Sequence, residues 1–223
     1  MKIHIKYPFA FLLLSISCVV FAGKPGKQRL SQKQSFFTQS DTINWIYIIK
    51  DKGVNASQVF KMGKGVLKIT GVSNGYLRTK RCYSNYEINL EWRWTQSLGN
   101  SGVLVHIQPK DIIWPVCYQV QQKVDAAGDI ICMNGLWAKE CTDKVKFTVP
   151  KMQPSNEKPL GEWNAMKIIC LNETIKVYVN GLLQNSISGI TASKGFIGFQ
   201  NEGKPLEFKN LSIINIKTTK NDF

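Results

Sequence analysis

Tyr86-Glu87-Ile88-Asn89-Leu90-Glu91-Trp92-Arg93-Trp94-Thr95 decides the fold class. Tyr86, Ile88, Leu90, Trp92 and Trp94 recur at every second position, with Glu87, Asn89, Glu91, Arg93 and Thr95 between them. Successive side chains of a strand point to opposite faces, so this segment reads as a strand with one core face and one polar face. C-terminal to it, Ser97–Gly102 supplies a turn and Val103-Leu104-Val105-His106-Ile107 a second strand, whose alternation sets His106 opposite Val103, Val105 and Ile107. A third run, Pro115–Gln122, places Gln119 and Gln121 together, opposite Val116, Tyr118 and Val120. Trp163–Cys170 and Ile175–Val179 form a hairpin through Asn172-Glu173-Thr174, and Asn180-Gly181 marks the next turn. Gly195–Gln200, a Glu202-Gly203 turn and Leu206–Ile216 complete the pattern. No stretch carries a long 3.6-residue apolar period, so the expected class is all-β, a sandwich or jelly roll.

The chain has 223 residues, 43% hydrophobic and 20% charged, which suits one globular domain and excludes a disordered or multi-span membrane protein. Lys2 and Lys6 precede a nearly uncharged run from Pro8 to Val20, and Val20-Phe21-Ala22 ends on a small residue. This reads as a secretory signal over residues 1–22, cleaved after Ala22, because the run falls short of the roughly 20 residues a spanning helix needs. A lipoprotein cysteine at Cys18 is the lesser alternative, since apolar residues follow it where a polar tether is expected. Residues 23–40 read as a flexible polar lead-in, 41–218 as a single sandwich domain and 219–223 as a tail. The mature chain therefore has no spanning segment, and its destination is the periplasm or the cell surface.

Loss of the two leader lysines lowers the formal charge from +14 to +12. The lysines are scattered along the chain and frame no nucleic-acid module, so a solvated basic surface is the expectation and no nucleic-acid partner is. Five cysteines remain: Cys82, Cys117, Cys132, Cys141 and Cys170. An odd number cannot all pair with one another, and no C-x-x-C occurs; Cys132 and Cys141 are the candidates for a short-loop disulfide. His106 is the one histidine left, which excludes metal sites that need two imidazoles but leaves an oxygen-ligand divalent cation open.

If the polar faces of the first three strands are neighbours in one sheet, Glu87, Asn89, Glu91, Arg93, His106, Gln119 and Gln121 share one surface. Sugar hydroxyls are held by amide, carboxylate and guanidinium groups, and Trp45, Trp114 and Trp137 could supply aromatic platforms. Glu87 and Glu91 lie four residues apart, about 13 Å along a strand, too far for the roughly 5–9.5 Å of a glycosidase carboxylate pair. A Ser/His/Asp site has only His106 to draw on and no Gly-x-Ser-x-Gly elbow. Asn55, Asn172 and Asn210 head Asn-x-Ser/Thr triplets.

Four segments in order resemble the secreted 3-keto-disaccharide hydrolase family (3-keto-glucoside lyase and 3-keto-2-hydroxy-glucal hydratase). They are Tyr76–Thr79 through Tyr86–Arg93 with Asn100-Ser101-Gly102-Val103; Trp114-Pro115 through Tyr118–Gln121 with Gly128-Asp129; Gly161–Asn164 leading to Val179–Gly181; and Gly195–Gln200 with Glu202-Gly203 and Phe208–Asn210. The resemblance covers residues 42 to 217 and implies a concanavalin A-like jelly-roll β-sandwich acting on oxidised glycosides by elimination and hydration, a net hydrolysis. It implies that Glu91 or His106 moves protons and Arg93 stabilises charge, while Arg78, Asn100, Trp114, Gln119, Gln121, Gln200 and Glu202 hold the sugar. Two positions depart from the family pattern: Gln119 replaces the glutamate of Tyr-Glu-x-Gln, and His106 stands where many relatives carry arginine. A non-catalytic, lectin-like carbohydrate-binding module on the same fold is the alternative, and Gln119 favours it. The charge alone suggests a third reading, an adhesin for acidic polysaccharide.

Overall fold

The computed structural model describes Phe36, Phe37 and residues 44–217. The leader, the lead-in apart from Phe36 and Phe37, Cys18 and the 219–223 tail lie outside the described residues. Strand Tyr86–Trp94 alternates without a fault, its odd-numbered neighbours half-exposed and Tyr86, Ile88, Leu90, Trp92 and Trp94 buried. Among the described residues it is the fifth of fourteen strands, which follow one another as β1 (Trp45–Ile49), β2 (Phe60–Gly63), β3 (Val66–Ile69), β4 (Gly75–Thr79), β5 (Tyr86–Trp94), β6 (Gly102–Ile107) and β7 (Tyr118–Gln121), then β8 (Ile130–Cys132), β9 (Thr148–Val149), β10 (Asn164–Leu171), β11 (Thr174–Val179), β12 (Leu182–Ser188), β13 (Phe196–Asn201) and β14 (Leu206–Asn215). One helical turn, α1 (Ala56–Val59), opens on an Asn55/Gln58 capping box.

The strands form two seven-stranded sheets, A in the order β1-β4-β13-β6-β7-β8-β9 and B in the order β12-β11-β10-β5-β14-β3-β2. Every pairing is antiparallel, and the inner faces enclose one apolar core. This is the jelly-roll sandwich expected of the sequence. Phe37 is fully buried and stacks on Trp45, with ring centroids 5.8 Å apart, so the packed unit starts before the expected boundary at residue 41.

The expectation that the first three strands share a sheet is corrected. β5 lies in sheet B between β10 and β14, whereas β6 and β7 are neighbours in sheet A. Residues 95–101 carry the chain from one sheet to the other. A second, smaller apolar cluster of Ile48, Tyr76, Leu104, Ile107 and Cys117 covers part of the outer face of sheet A. All five described cysteines are free thiols, so the expected disulfide is not formed here, although Cys132 and Cys141 are in side-chain contact. No helix among the described residues is long and apolar enough to cross a membrane.

Candidate functional site

Backbone register assembles the site on the outer face of sheet A. Tyr76 lies opposite Gln200, and Gly102 lies opposite Gln121 on the far side of β6. In the next row Arg78 lies opposite Gly198, Gly198 opposite Leu104, and Leu104 opposite Gln119. Gly102 has no side chain to separate its neighbours: a Cβ there would sit 2.6 Å from Gln119 Cγ. The Gln119 amide uses that space and donates from Nε2 to Gln200 Oε1 at 2.8 Å and to Gln121 Oε1 at 3.3 Å. Gln121 Oε1 also accepts from the backbone N–H groups of Gln122 and Lys123, both at 3.1 Å.

Beyond this amide cluster, at the same end of the strands, Asn100 Nδ2 donates to Glu202 Oε2 at 2.7 Å. Burial raises Glu202 above the ordinary carboxylate range, against the opposing pull of Asn100 and the Lys123 charge. On the other flank, Arg78 makes a two-pronged contact with Asp111, Nε to Oδ1 at 2.6 Å and the terminal nitrogen to Oδ2 at 2.8 Å, and its guanidinium lies 4.0 Å from the Phe196 ring centre. The hydrogen bond from Arg78 holds Asp111 below its usual range. Two buried atoms on this face, Tyr76 Oη and Asn100 Oδ1, have no partner. Each costs on the order of 1–3 kcal/mol until water or a ligand completes it, so the face is short of hydrogen bonds. Trp114, 41% exposed, stands in the loop after β6 with its carbonyl held by Asn134 Nδ2 at 2.6 Å.

Seven of the expected residues, Arg78, Asn100, Trp114, Gln119, Gln121, Gln200 and Glu202, thus belong to sheet A or its adjoining loops. The three expected catalytic residues do not join them. Glu91 and Arg93 project from the outer face of sheet B, with the whole sandwich in between. Glu91 accepts from Asn210 Nδ2 at 2.6 Å and pairs with Lys209 at 3.3 Å. Arg93 donates to Glu207 at 2.9 and 2.7 Å and stacks 4.5 Å from the Trp163 ring centre.

His106 lies on neither outer face. Its φ of +52° and a register shift between Phe196 and Gly198 mark a bulge that turns the imidazole inward. Gly195 permits this, since a Cβ there would sit 2.4 Å from the His106 carbonyl carbon. The imidazole packs edge-on against Tyr86 and Tyr118 and bonds Ala192 O through Nδ1 at 2.8 Å. Burial pushes its pKa down to about 4, against the pull of the Ala192 carbonyl. The alternation that put His106 on the polar side fails because a bulge adds one residue to the count. Of the expected platforms, Trp45 is a core residue at 3% exposure, and Trp137 is half-buried with the Lys144 ammonium 4.1 Å from its ring centre. Tyr76 and Asp111 were not anticipated; the fully buried phenol among apolar neighbours gives no polar signal in the sequence. Among the described residues no three His, Cys, Asp or Glu side chains converge as a metal site.

The outer face of sheet A thus gathers convergent amides and one desolvated carboxylate on a jelly-roll sandwich. The chain belongs to the 3-keto-alpha-glucoside-1,2-lyase-like domain family, whose model matches residues 32–214. Comparison with curated proteins returns no match. Among solved structures, a Parabacteroides distasonis protein classed provisionally as a glycosyl hydrolase is similar at a TM-score of 0.54 and 22% identity, over 77% of this chain and 99% of that one. A Bacillus subtilis carbohydrate-binding module (TM-score 0.56, 11% identity, 82% and 99% covered) and a Bacillus licheniformis β-glucanase (0.55, 13%, 81% and 96%) share the fold.

Proposed function

We propose that this protein cleaves 3-keto-glycosides by elimination and hydration on the outer face of sheet A, acting in the periplasm or at the cell surface after cleavage at Ala22. The observation that carries the reading is Glu202, a carboxylate raised by burial and set beside the amide cluster, while Asp111 on the other flank is tied to Arg78. A two-carboxylate glycosidase needs both an acid and a nucleophile or base. Elimination needs one group that can take up a proton and return it.

A ketone at carbon 3 acidifies the proton on carbon 2. Glu202 takes that proton, and the C–H electron pair forms an enolate on the ketone oxygen. The enolate collapses to a C1=C2 double bond as the C1–O bond breaks, and the departing oxygen takes the proton back from Glu202. Water then adds across the double bond. The amide N–H groups of the glutamine cluster and the Arg78 guanidinium supply donors for the enolate oxygen, the kind of fixed electrostatic help that lowers such barriers most. Trp114 offers an exposed ring to a sugar face.

Gln119, an amide where the family pattern has glutamate, favours a second reading: a carbohydrate-binding module that retains the groove without turnover. A product assay on 3-keto-disaccharides and their unoxidised parents separates the two. Sugar released from the keto substrates alone supports the lyase reading; saturable binding without release supports the module.

A further inference from the structure

We propose a second carbohydrate site on the outer face of sheet B, in the depression centred on Ala165. The depression holds about 450 Å³, within the range of small-ligand sites, and lies across the sandwich from the amide cluster. Its origin is visible in the register. Glu91 lies opposite Ala165, and Lys167 lies between Asn89 and Tyr178 in the adjoining row. A methyl group therefore occupies a position flanked by long side chains, and Gly181 leaves the hairpin side open.

The backbone is shaped around this hollow on both flanks. β14 shifts register between Lys209 and Ser212, and within the shift Asn210 takes a φ of +53° that brings its amide onto Glu91. On the other side β11 shifts register against β12 between Val177 and Tyr178. Bulges re-aim side chains and are frequent beside binding sites. In the same strand, Arg93 is closed off by Glu207 and Trp163. Around Ala165, by contrast, Asn89 Oδ1, Asn210 Oδ1, the Lys167 ammonium and the Tyr178 hydroxyl have no hydrogen-bond partner among the described residues.

The chemistry selects the ligand. The Asn210–Glu91 pair offers a donor and an acceptor side by side, suited to vicinal hydroxyls, and the half-buried Tyr178, with the Lys167 ammonium 5.7 Å from its ring centre, borders the hollow beside them. Glu91 pairs with Lys209, which leaves Lys167 as the one uncompensated cation of the hollow, short of the extended single-sign field a polyanion would require. The ligand is one or two units of a neutral glycan. This site is independent of the reading given for sheet A.

The test is an amide chemical-shift titration of the full chain with cellotetraose, maltotetraose and sucrose. Shifts at Ala165, Lys167, Tyr178 and Asn210 are expected with at least one of the three. They should persist in Gln119→Ala, which alters sheet A only, and weaken at least tenfold in Ala165→Phe, which fills the hollow from an exposed strand position. Silence of these amides with all three sugars overturns the proposal, as does an undiminished response in a folded Ala165→Phe protein.

Discussion

The outer faces of sheets A and B arise from the same alternation of apolar and polar residues, yet they hold their polar groups in opposite ways. On sheet A, Gln119, Gln121 and Gln200 are 4%, 6% and 3% exposed, neutral and bonded mainly to one another. On sheet B, Lys68, Glu207, Arg93, Trp163, Lys209 and Glu91 form a chain of ion pairs and ring contacts that is at least partly solvated everywhere except at Glu207, which is 8% exposed. Solvated ion pairs contribute little to stability, typically about 0–1 kcal/mol, because water screens them. The buried Asn100 Oδ1 and Tyr76 Oη beside these amides are different: each lacks a partner, and its cost is recovered only when water or a ligand completes it. Abundant charge on a strand is therefore a weaker sign of a site than a few sequestered neutral amides beside one desolvated carboxylate.

The contrast can be broken experimentally at several points. The largest expected effect is on Glu202: Glu202→Gln should reduce turnover of a 3-keto-disaccharide about 10²–10⁴-fold with the fold intact, the usual contribution of general acid–base catalysis. Because burial raises this carboxyl, the acidic limb of the rate profile should fall above the ordinary glutamate range. A rate loss of less than threefold in the variant would remove Glu202 from the chemistry.

His106 tests whether the imidazole belongs to the core rather than to either face. Its pKa is near 4 in the fold against 6.5 for the free group, so the unfolded chain binds the proton more readily. Its contribution to stability is complete above pH 6.5 and is lost as the pH falls through 4, a change of about 3 kcal/mol at most. Denaturation between pH 7 and 4 should show this slope, and His106→Gln should flatten it; equal slopes in both proteins would place the imidazole in solvent.

Gly102→Val probes the amide cluster itself. The added Cβ meets Gln119 Cγ at 2.6 Å, so destabilisation of about 1–3 kcal/mol from overpacking and roughly tenfold weaker sugar binding are expected. Unchanged affinity would show that the bridge across β6 is not needed. The smallest effect should come from sheet B, where Lys68→Ala removes a largely exposed partner of Glu207 while the Arg93 bonds stay, and is expected to cost about 1 kcal/mol or less in denaturant melts and to leave turnover unaltered. Burial works to raise Glu207, but hydrogen bonds from Arg93 and Lys68 hold it below the usual range. That interaction is present above the unfolded carboxyl pKa and disappears as the pH falls through the folded one.

Much of the sandwich is legible in the sequence, for reasons that particular residues make plain. Tyr86–Trp94 alternates because one face is core, and Asn180-Gly181 takes the positive φ values, 47° and 84°, that a tight hairpin turn requires. The pairing of Gln119 with Gln121 on one face is also legible, since both lie on one unbroken strand. Sheet membership is not. Periodicity tells which side of a strand is polar but not which sheet the strand joins, so Glu91 and Gln119 looked like neighbours while a core lies between them. Nor is the bulge at His106 legible, because the glycine that permits it, Gly195, comes from a distant strand connection. Asn172 and Asn210, read as the heads of sequence triplets, prove to be positive-φ residues that turn a hairpin and shape a bulge.

The most direct test of this account is the crystal structure of the Glu202→Gln protein soaked with a 3-keto-disaccharide. The account predicts the keto ring over Gln119, Gln121 and Gln200, with carbon 2 facing residue 202. A keto ring seated instead against Glu91 on sheet B, with the amide cluster empty, would contradict it.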